Sequence, residues 1–165
     1  NIKNASYANS FMSQFKAEPT KYLNTTVAYR YYDVQTKFNG TNFQKNPLTT
    51  SHRAFINADV KLHKKWNWDL TVNWNGKSRL PSLNEHPNNL QVGALSDAYW
   101  LANSQLKFKP NKKWEFYIGA ENLFNYQQPN AIIDSSNPFS ENFDASLVWG
   151  PVFGRKVYGG LKLKI

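Results

Sequence analysis

Residues 114–121 read Trp-Glu-Phe-Tyr-Ile-Gly-Ala-Glu, and this stretch decides the fold. Every second side chain is apolar, at Trp114, Phe116, Ile118 and Ala120. A period of two is the spacing of a β-strand whose two faces meet different surroundings. The same alternation returns in residues 154–165, so we expect a final strand there.

Working outward from this stretch, the alternation predicts seven strands and no helix. They cover residues 10–16, 22–38, 54–62, 66–75 and 100–108, a strand that begins at 114, and residues 154–165. Apolar residues do not recur at intervals of three and four, and Asn, Thr, Trp and Tyr are frequent where a helix would favour Ala, Leu and Glu. The pattern therefore favours an all-β, antiparallel, up-and-down sheet.

Short and long connections alternate along the chain. Short turns lie at 18–21, 63–65 and 110–113, and long polar connections at 39–51, 76–98 and 125–153. In an up-and-down sheet this places all short turns at one end, which is the pattern of outer-membrane barrels. A soluble lipocalin-like barrel can show the same pattern by chance, so that alternative stays open. Tryptophans near both strand ends favour the membrane barrel, because such proteins carry aromatic residues at both interfaces.

In a membrane barrel the apolar face meets lipid and the polar face lines the lumen. We predict that lipid surrounds Val72, Ala102, Ile118 and Leu161. We predict that the lumen side carries Arg30, Asp59, Asp69, Asn73, Asn103 and Glu121.

Two motifs carry a resemblance to a known family. Residues 122–126 read Asn-Leu-Phe-Asn-Tyr after a strand, and Gly154-Arg155 precedes the alternating last strand. This arrangement resembles the C-terminal end of TonB-dependent outer-membrane receptors, and residues 143–155, 29–34 and 52–55 resemble the Bacteroidetes branch. The resemblance implies a barrel of twenty-two strands with an N-terminal plug inside it. It also implies that energy transmitted through TonB displaces the plug, so that a scarce substrate such as a siderophore, a metal complex, a glycan or a peptide is imported.

The strand count bears on domain organisation. Seven is an odd number, whereas single-chain bacterial barrels have an even number of strands. We therefore expect residues 1–165 to be the C-terminal part of a larger transmembrane barrel domain, with the plug and the remaining strands outside them. The expected partners are outer-membrane lipid and lipopolysaccharide, the rest of the barrel with its plug, and TonB through an N-terminal region.

The net charge of +9 is concentrated at one end of the predicted sheet. Near the short turns and the last residues there are eleven basic and two acidic residues, a difference equal to the whole net charge. The basic ones are Lys16, Lys21, Lys61, Lys64, Lys65, Lys107, Lys109, Lys112, Lys113, Lys162 and Lys164. Such a ring fits either simple solvation of the turns or contact with anionic phospholipid headgroups. Lysines confined to turns do not form the Arg-rich aromatic surface expected for nucleic acid, so we predict no nucleic-acid partner.

The sequence shows no catalytic motif, and we predict neither an enzyme nor a cofactor. Cysteine is absent, and the three histidines lack metal-ligand spacing. Asp59 and Asp69 could be read as the carboxylate pair of a glycosidase, but a polar lumen wall explains them better. Candidate substrate contacts in or beside the long loops are Arg79, His86, Trp149 and Arg155.

Two other functions remain open at the level of sequence. One is a barrel that scaffolds a surface complex or docks a surface lipoprotein over its loops. The other is a soluble β-barrel that binds a small apolar ligand.

Overall fold

The computed structural model describes residues 5–37, 42–82, 87 and 93–164 as one antiparallel sheet. Its strands are β1 (Ser6–Thr20), β2 (Leu23–Lys37), β3 (Phe43–Lys45), β4 (His52–His63), β5 (Trp66–Asn75), β6 (Tyr99–Phe108), β7 (Trp114–Glu121) and β8 (Lys156–Leu163). Among the described residues, no helix is long and apolar enough to cross a membrane.

The strand order confirms the predicted up-and-down path. Strands β1-β2-β4-β5-β6-β7-β8 are hydrogen-bonded in that order, and β3 pairs with β2 off this path. Strand β3 was not predicted, because three exposed residues are too few to show alternation. It forms where β2 extends beyond the end of β4, so that residues 35–37 of β2 pair with β3 instead.

The first and the last predicted strands differ most from the structure in extent. Strand β1 covers fifteen residues and runs through Pro19 to Thr20, with an irregularity after Ala17, where the sequence suggested a turn. Proline is tolerated there because it lies in a strand at the edge of the described sheet. Strand β8 is shorter than predicted and ends at Leu163, and Ile165 lies outside the described residues.

The register divides the sheet into an apolar and a polar face. Val27, Ile56, Val72 and Ala102 lie opposite one another across β2, β4, β5 and β6. Because directly opposed residues share a face, Ile118 and Leu161 belong to the same surface. The other face carries all of the residues that were assigned to the lumen, namely Arg30, Asp59, Asp69, Asn73, Asn103 and Glu121.

The sheet has a single layer, and its apolar face is uncovered. Phe15 is 68% exposed, Ile118 58% and Val157 70%. The few buried apolar residues are mostly small or lie in the loops, as with Ala28, Ala102 and Leu80. Contiguous apolar surface of this kind marks a face that contacts a partner or a membrane.

The rows of opposed residues are staggered across the sheet. The row that begins at Leu23, the first residue of β2, passes through Val60, Trp68 and Leu106 and reaches Gly159 in the middle of β8. Closing a sheet into a barrel requires such a shear, because the strands tilt against the barrel axis. The short turns nevertheless lie at one end of the sheet and the long loops at the other.

Candidate functional site at the long-loop end

Three long loops leave the same end of the sheet. Loop A (residues 38–51) joins β2 to β4 and contains β3, loop B (residues 76–98) joins β5 to β6, and loop C (residues 122–155) joins β7 to β8. All three predicted contacts within the described residues lie here, since Arg79 is in loop B and Trp149 and Arg155 are in loop C. The fourth, His86, lies outside the described residues.

Loops A and B are joined by buried hydroxyl groups. The Oγ1 of Thr50 and the Oγ of Ser78 are 2.8 Å apart, and the amide of Ser78 donates to the Oγ of Ser96 at 2.8 Å. Ser78 and Ser96 are each only 3% exposed. Because buried polar groups that are paired are costly to separate, the contact between Thr50 and Ser78 holds the two loops together, and the bond to Ser96 fixes Ser78 within loop B.

Arg79 completes this contact between the loops. Its Nη1 donates to the carbonyl of Lys45 at 3.0 Å, and its own carbonyl accepts the amide of Leu48 at 2.8 Å. Leu48 has a φ of 58°, an unfavourable conformation for a leucine. The hydrogen bond that the amide of Leu48 donates to Arg79 helps to hold Leu48 there, so this arginine, predicted as a substrate contact, also has a structural role in the loops.

Loop C folds back on itself around Gln128, which is 6% exposed. The side chain donates to the carbonyl of Leu147 at 2.9 Å, and its Oε1 accepts the amides of Trp149 at 2.8 Å and Gly150 at 2.9 Å. These bonds use both ends of the amide group and join two segments about twenty residues apart. The backbone of loop C is therefore fixed at Trp149, a predicted substrate contact.

Aromatic rings join loop C to the end of β6. The rings of Tyr99 and Tyr126 stack at 5.0 Å with an interplanar angle of 1°, and Trp149 lies 5.8 Å from Tyr99. Burial raises the pKa of Tyr126, and the neighbouring Asp97 and Tyr99 raise it further. Its hydroxyl therefore stays protonated at neutral pH, and it has no hydrogen-bond partner among the described residues.

The Asn-Leu-Phe-Asn-Tyr motif forms the base of loop C. Asn122 is buried with a φ of 52°, and its side chain donates to the carbonyls of Tyr126 at 2.7 Å and Phe153 at 3.3 Å. Its Oδ1 also accepts the amide of Tyr126 at 3.0 Å. Asparagine suits this position because it tolerates a positive φ and bonds nearby backbone.

Arg155, at the other end of loop C, contacts the same motif. Its amide donates to the Oδ1 of Asn125 at 2.8 Å, and its Nη2 donates to the carbonyl of Leu123 at 2.7 Å. The guanidinium was predicted to contact substrate, and in the structure it binds backbone. The two motifs that carried the family resemblance are thus in direct contact and together position loop C.

A hollow on the polar face lies directly below the loops. It has a volume of about 420 Å³, and its polar lining includes Arg30, Arg53, Asn73, Asn75 and Tyr99. Arg30 and Arg53 lie directly opposite each other across β2 and β4. Within the described part of the chain, neither guanidinium forms an ion pair with a carboxylate, and Arg30 lies 4.5 Å from the centre of the Tyr32 ring.

Sequence reasoning included Arg30 but missed Arg53. The pairing of the two depends on the register between strands β2 and β4, which the alternation of each strand alone does not define. The available signal was a cationic residue directly before the third predicted strand. A second hollow of about 260 Å³ extends the first toward loop A and is lined by Arg30, Arg53 and Thr50 among others.

Asp59 and Asp69 lie directly opposite each other, as the hairpin predicted. Asn67 donates to the Oδ2 of Asp59 at 2.9 Å, and Asn57 donates to the Oδ2 of Asp69 at 3.1 Å. Each carboxylate thus accepts a hydrogen bond from an amide on the same face, which supports their role in a polar wall. Across the described ranges, no group of three His, Cys, Asp or Glu residues is placed to hold a metal ion.

Comparison with known proteins shows similarity in structure but not in sequence. No protein-family model matches the chain, and no curated protein sequence is similar to it. Solved structures similar to the chain include three receptors. They are the ferric-catecholate import receptor Fiu of E. coli K12 in its closed form, the siderophore receptor PiuA of Acinetobacter baumannii and a mutant of the ferric enterobactin receptor PfeA of Pseudomonas aeruginosa.

The similarity extends over almost the whole chain. For Fiu the TM-score is 0.69 at 13% identity over 96% of this chain, and for PiuA it is 0.65 at 13% identity over 96%. For PfeA it is 0.61 at 15% identity over 92%. The chain spans only 21–22% of the length of these receptors. It therefore has the fold of about one fifth of a TonB-dependent siderophore receptor, within the barrel part.

Proposed function

We propose that this chain forms part of the wall and three exterior loops of a TonB-dependent outer-membrane receptor that imports a scarce substrate. The observation that carries the proposal is the match of 96% of the chain to an import receptor, at a TM-score of 0.69. The motifs at residues 122–126 and 154–155 support it independently, because a short sequence motif and a shared backbone path are separate observations. The assignment to the Bacteroidetes branch rests on the sequence motifs alone.

The open edges of the sheet support a larger barrel. Strands β1 and β8 each pair on one side only among the described residues. In lipid, every unpaired backbone group costs several kcal/mol, so further strands of the same barrel pair with both edges. The plug and the segment that contacts TonB belong to other parts of the parent protein, by which we mean the full-length protein that contains these strands.

The two faces and the lengths of the loops support an orientation in the membrane. The exposed apolar face contacts the hydrocarbon core, and the polar face with Arg30, Asp59, Asp69, Asn73, Asn103 and Glu121 lines the lumen. The long loops then lie outside the cell, where the apolar face beneath them meets lipopolysaccharide, and the short turns lie in the periplasm. A surface lipoprotein over the loops remains a prediction of the sequence.

The pair of arginines points to an anionic substrate. Arg30 and Arg53 lie side by side in the hollow below the loops, and neither is neutralised by a described carboxylate. Like charges directly opposite each other are destabilising unless a ligand or partner compensates them. Among the substrates considered, an anionic metal–siderophore complex supplies that compensation, whereas a neutral glycan does not.

Uptake by the parent protein tests this function. Cells that depend on the parent protein for iron should accumulate labelled iron from a ferric catecholate and lose that uptake when the gene is deleted. The variant Arg30→Ala/Arg53→Ala should bind the complex at least tenfold more weakly, because a hydrogen bond to a charged group contributes about 1.5–3 kcal/mol.

The matched control is Lys77→Ala, which removes an exposed cation of loop B that does not line the hollow. Heat-modifiability on gels shows that each variant still forms a barrel. Unchanged uptake after deletion would refute the transport function, and equal binding by the double variant and the control would refute the arginine site.

A further inference from the structure

The short-turn end of the sheet carries positive charge on its polar face. Glu115 lies directly opposite Lys162 across β7 and β8. Closer to the turn, the amide of Lys164 donates to the carbonyl of Lys113 at 2.8 Å, which continues the same register. Because successive strand residues point to opposite faces, these four side chains share the polar face, whereas Trp114 lies on the apolar one. The three lysines therefore point to the interior of the proposed barrel and away from lipid.

A hollow of about 740 Å³ lies among these side chains. Glu115 is the only described acidic residue in its lining, and the carboxylate binds Lys109 at 2.9 Å and Lys162 at 3.7 Å. Five lysines line the hollow, namely Lys109, Lys112, Lys113, Lys162 and Lys164. One carboxylate does not neutralise five ammonium groups, so the hollow keeps an excess of positive charge.

The turn between β6 and β7 fixes the backbone on one side of the hollow. The Oδ1 of Asn111 accepts the amides of Lys113 at 2.9 Å and Trp114 at 3.1 Å. An asparagine that bonds the backbone two and three residues ahead stabilises a tight turn. The hydrogen bond between Lys164 and Lys113 then joins the end of β8 to this turn. The backbone of both lysines is thus positioned before a partner binds, which lowers the ordering cost of binding.

The barrel wall supplies no counter-charge for Lys113 and Lys164. They lie opposite each other, and like charges in that arrangement are destabilising. Neither forms an ion pair with a described carboxylate, and Glu115 is already shared between two other lysines. The described sheet has a single layer, so its polar face is free to receive a partner. Carboxylates placed against this face from inside the barrel would neutralise both ammonium groups.

We infer that this hollow binds an acidic segment of the parent protein itself, from the part that lies outside residues 1–165. Asp or Glu side chains of that segment form ion pairs with Lys113 and Lys164. The inference rests on the proposed function, because it takes the polar face as the inner wall of a barrel. It concerns how the wall holds the polypeptide that fills the barrel and does not depend on the substrate.

The parent chain is a better source of these carboxylates than a soluble anion. The described sheet matches only 21% of the length of Fiu, so most of a receptor of this fold lies outside it. A segment of the same chain is present at a high effective concentration, so ion pairs that are individually weak are enough to hold it against the wall. A free anion must also offset its lost translational freedom, and a lipid contacts the opposite face.

Zero-length crosslinking of the purified parent protein tests the inference. A water-soluble carbodiimide activates a carboxylate, which then forms an amide bond with a lysine amine in contact with it. Mass spectrometry of the digested protein should show such bonds from Lys113 or Lys164 to an Asp or Glu outside residues 1–165. The ion pair of Lys109 and Glu115, at 2.9 Å, is the internal positive control. Crosslinks from Lys109 and Lys113 that reach only Glu115 would overturn the inference.

A charge variant measures how strongly the segment is held. Lys113→Gln/Lys164→Gln should make the crosslinked segment about twofold to thirtyfold more susceptible to protease, which is the range for losing two exposed ion pairs. The control Lys37→Gln/Lys77→Gln makes the same charge change at the loop end and should be digested as the unaltered protein is. Glu115→Gln releases Lys109 and Lys162 from the wall, so crosslinks from these two lysines to the same segment should increase.

The remaining results also decide the question. Equal protease susceptibility of the two double variants would overturn the inference. Crosslinks from Lys113 or Lys164 to a different protein would show a periplasmic partner instead, and loss of the crosslinks in millimolar inorganic phosphate but not in sodium chloride of equal ionic strength would show a phosphate site. Failure of the transport proposal is seen separately, as absent iron uptake with the crosslinks intact.

Discussion

The ring of Tyr158 lies across Gly119 on the neighbouring strand, and its hydroxyl reaches Gln105 one strand further, at 3.2 Å. Tyr117 lies across Gly160 in the reciprocal arrangement, and the two tyrosine rings are 6.4 Å apart. A Cβ at Gly119 would overlap the Tyr158 ring and lie 2.9 Å from the carbonyl of Ser104. The two glycines thus give the tyrosines room to cover β7 and β8.

This close approach predicts the effect of adding one methyl group. Gly119→Ala should lower the stability of the parent barrel by about 1–3 kcal/mol, the usual cost of overpacking. The measurement is the temperature at which the protein loses its folded mobility on gels. Gly93→Ala is the control, because among the described residues a Cβ there meets only the carbonyl of Leu95, at 3.7 Å. A similar shift of this temperature in both variants would show that the contact between Gly119 and Tyr158 does not limit the size of the side chain at residue 119.

The two faces of β5 should respond differently to charge. Val72→Arg places a guanidinium in the apolar row and should cost about 2–4 kcal/mol near the middle of the membrane. Asn73→Arg points to the polar face and should be tolerated. Urea titrations of the parent protein in lipid vesicles compare the two. An equal loss of unfolding free energy at these two adjacent positions would contradict the assignment of the two faces.

The ends of the strands should differ in accessibility. Because the chain has no cysteine, single cysteines report without background from these residues. A membrane-impermeant thiol reagent added to intact cells should label Asn137→Cys in loop C but neither Lys64→Cys nor Lys112→Cys in the short turns. Labelling of Lys64→Cys from outside would contradict the proposed orientation of the sheet in the membrane. Asn88, a further predicted exterior position, lies outside the described residues.

The base of loop C should depend on Asn122. Asn122→Ala removes three side-chain hydrogen bonds and should cost about 2–3 kcal/mol, at roughly 1 kcal/mol each. Loop C should then become sensitive to protease. Asn130→Ala is the matched control, since Asn130 also has a positive φ but has an exposed side chain. If both variants resist protease equally, the side-chain bonds of Asn122 do not hold the loop.

A turn within loop C should depend on pH. Hydrogen bonds from Ser140 and Asn137 lower the pKa of Asp134 below its ordinary value of 3.8. Since the folded pKa is depressed, the stabilisation is present above pH 3.8 and is lost as the pH falls through the lower folded value. Hydrogen exchange at the amide of Asn137, which donates to the carbonyl of Asp134 at 2.9 Å, should therefore stay slow at pH 4.5. Ser140→Ala should raise the pH at which this protection is lost, and an unchanged midpoint would contradict the role of Ser140.

Much of the sheet could be predicted because alternation is a local property. Strands β5 and β7 begin at the predicted residues, Trp66 and Trp114, and the division into two faces follows directly from the period of two. The loops could not be predicted in this way. The bonds of Gln128 and of Ser78 join segments about twenty residues apart, and nothing in their local sequence indicates a partner.

The candidate site was predictable only in part, for a related reason. Arg79 and Arg155 were chosen because they lie in or beside long loops, and in the structure their guanidinium groups bind the carbonyls of Lys45 and Leu123. Backbone carbonyls occur at every residue, so a sequence does not show which of them an arginine will reach. Arg53 was missed because its importance comes from its position opposite Arg30, which depends on strand register.

Strand length falls from fifteen residues in β1 and β2 to eight in β7 and β8. At about 3.3 Å per residue, the difference is roughly 23 Å along the strand direction. On the loop side, the wall therefore extends further at β1 and β2 than at β7 and β8. Loop C, the longest of the three, joins β7 to β8. The longest loop therefore lies where the wall is lowest and covers the part of the rim that the strands leave uncovered.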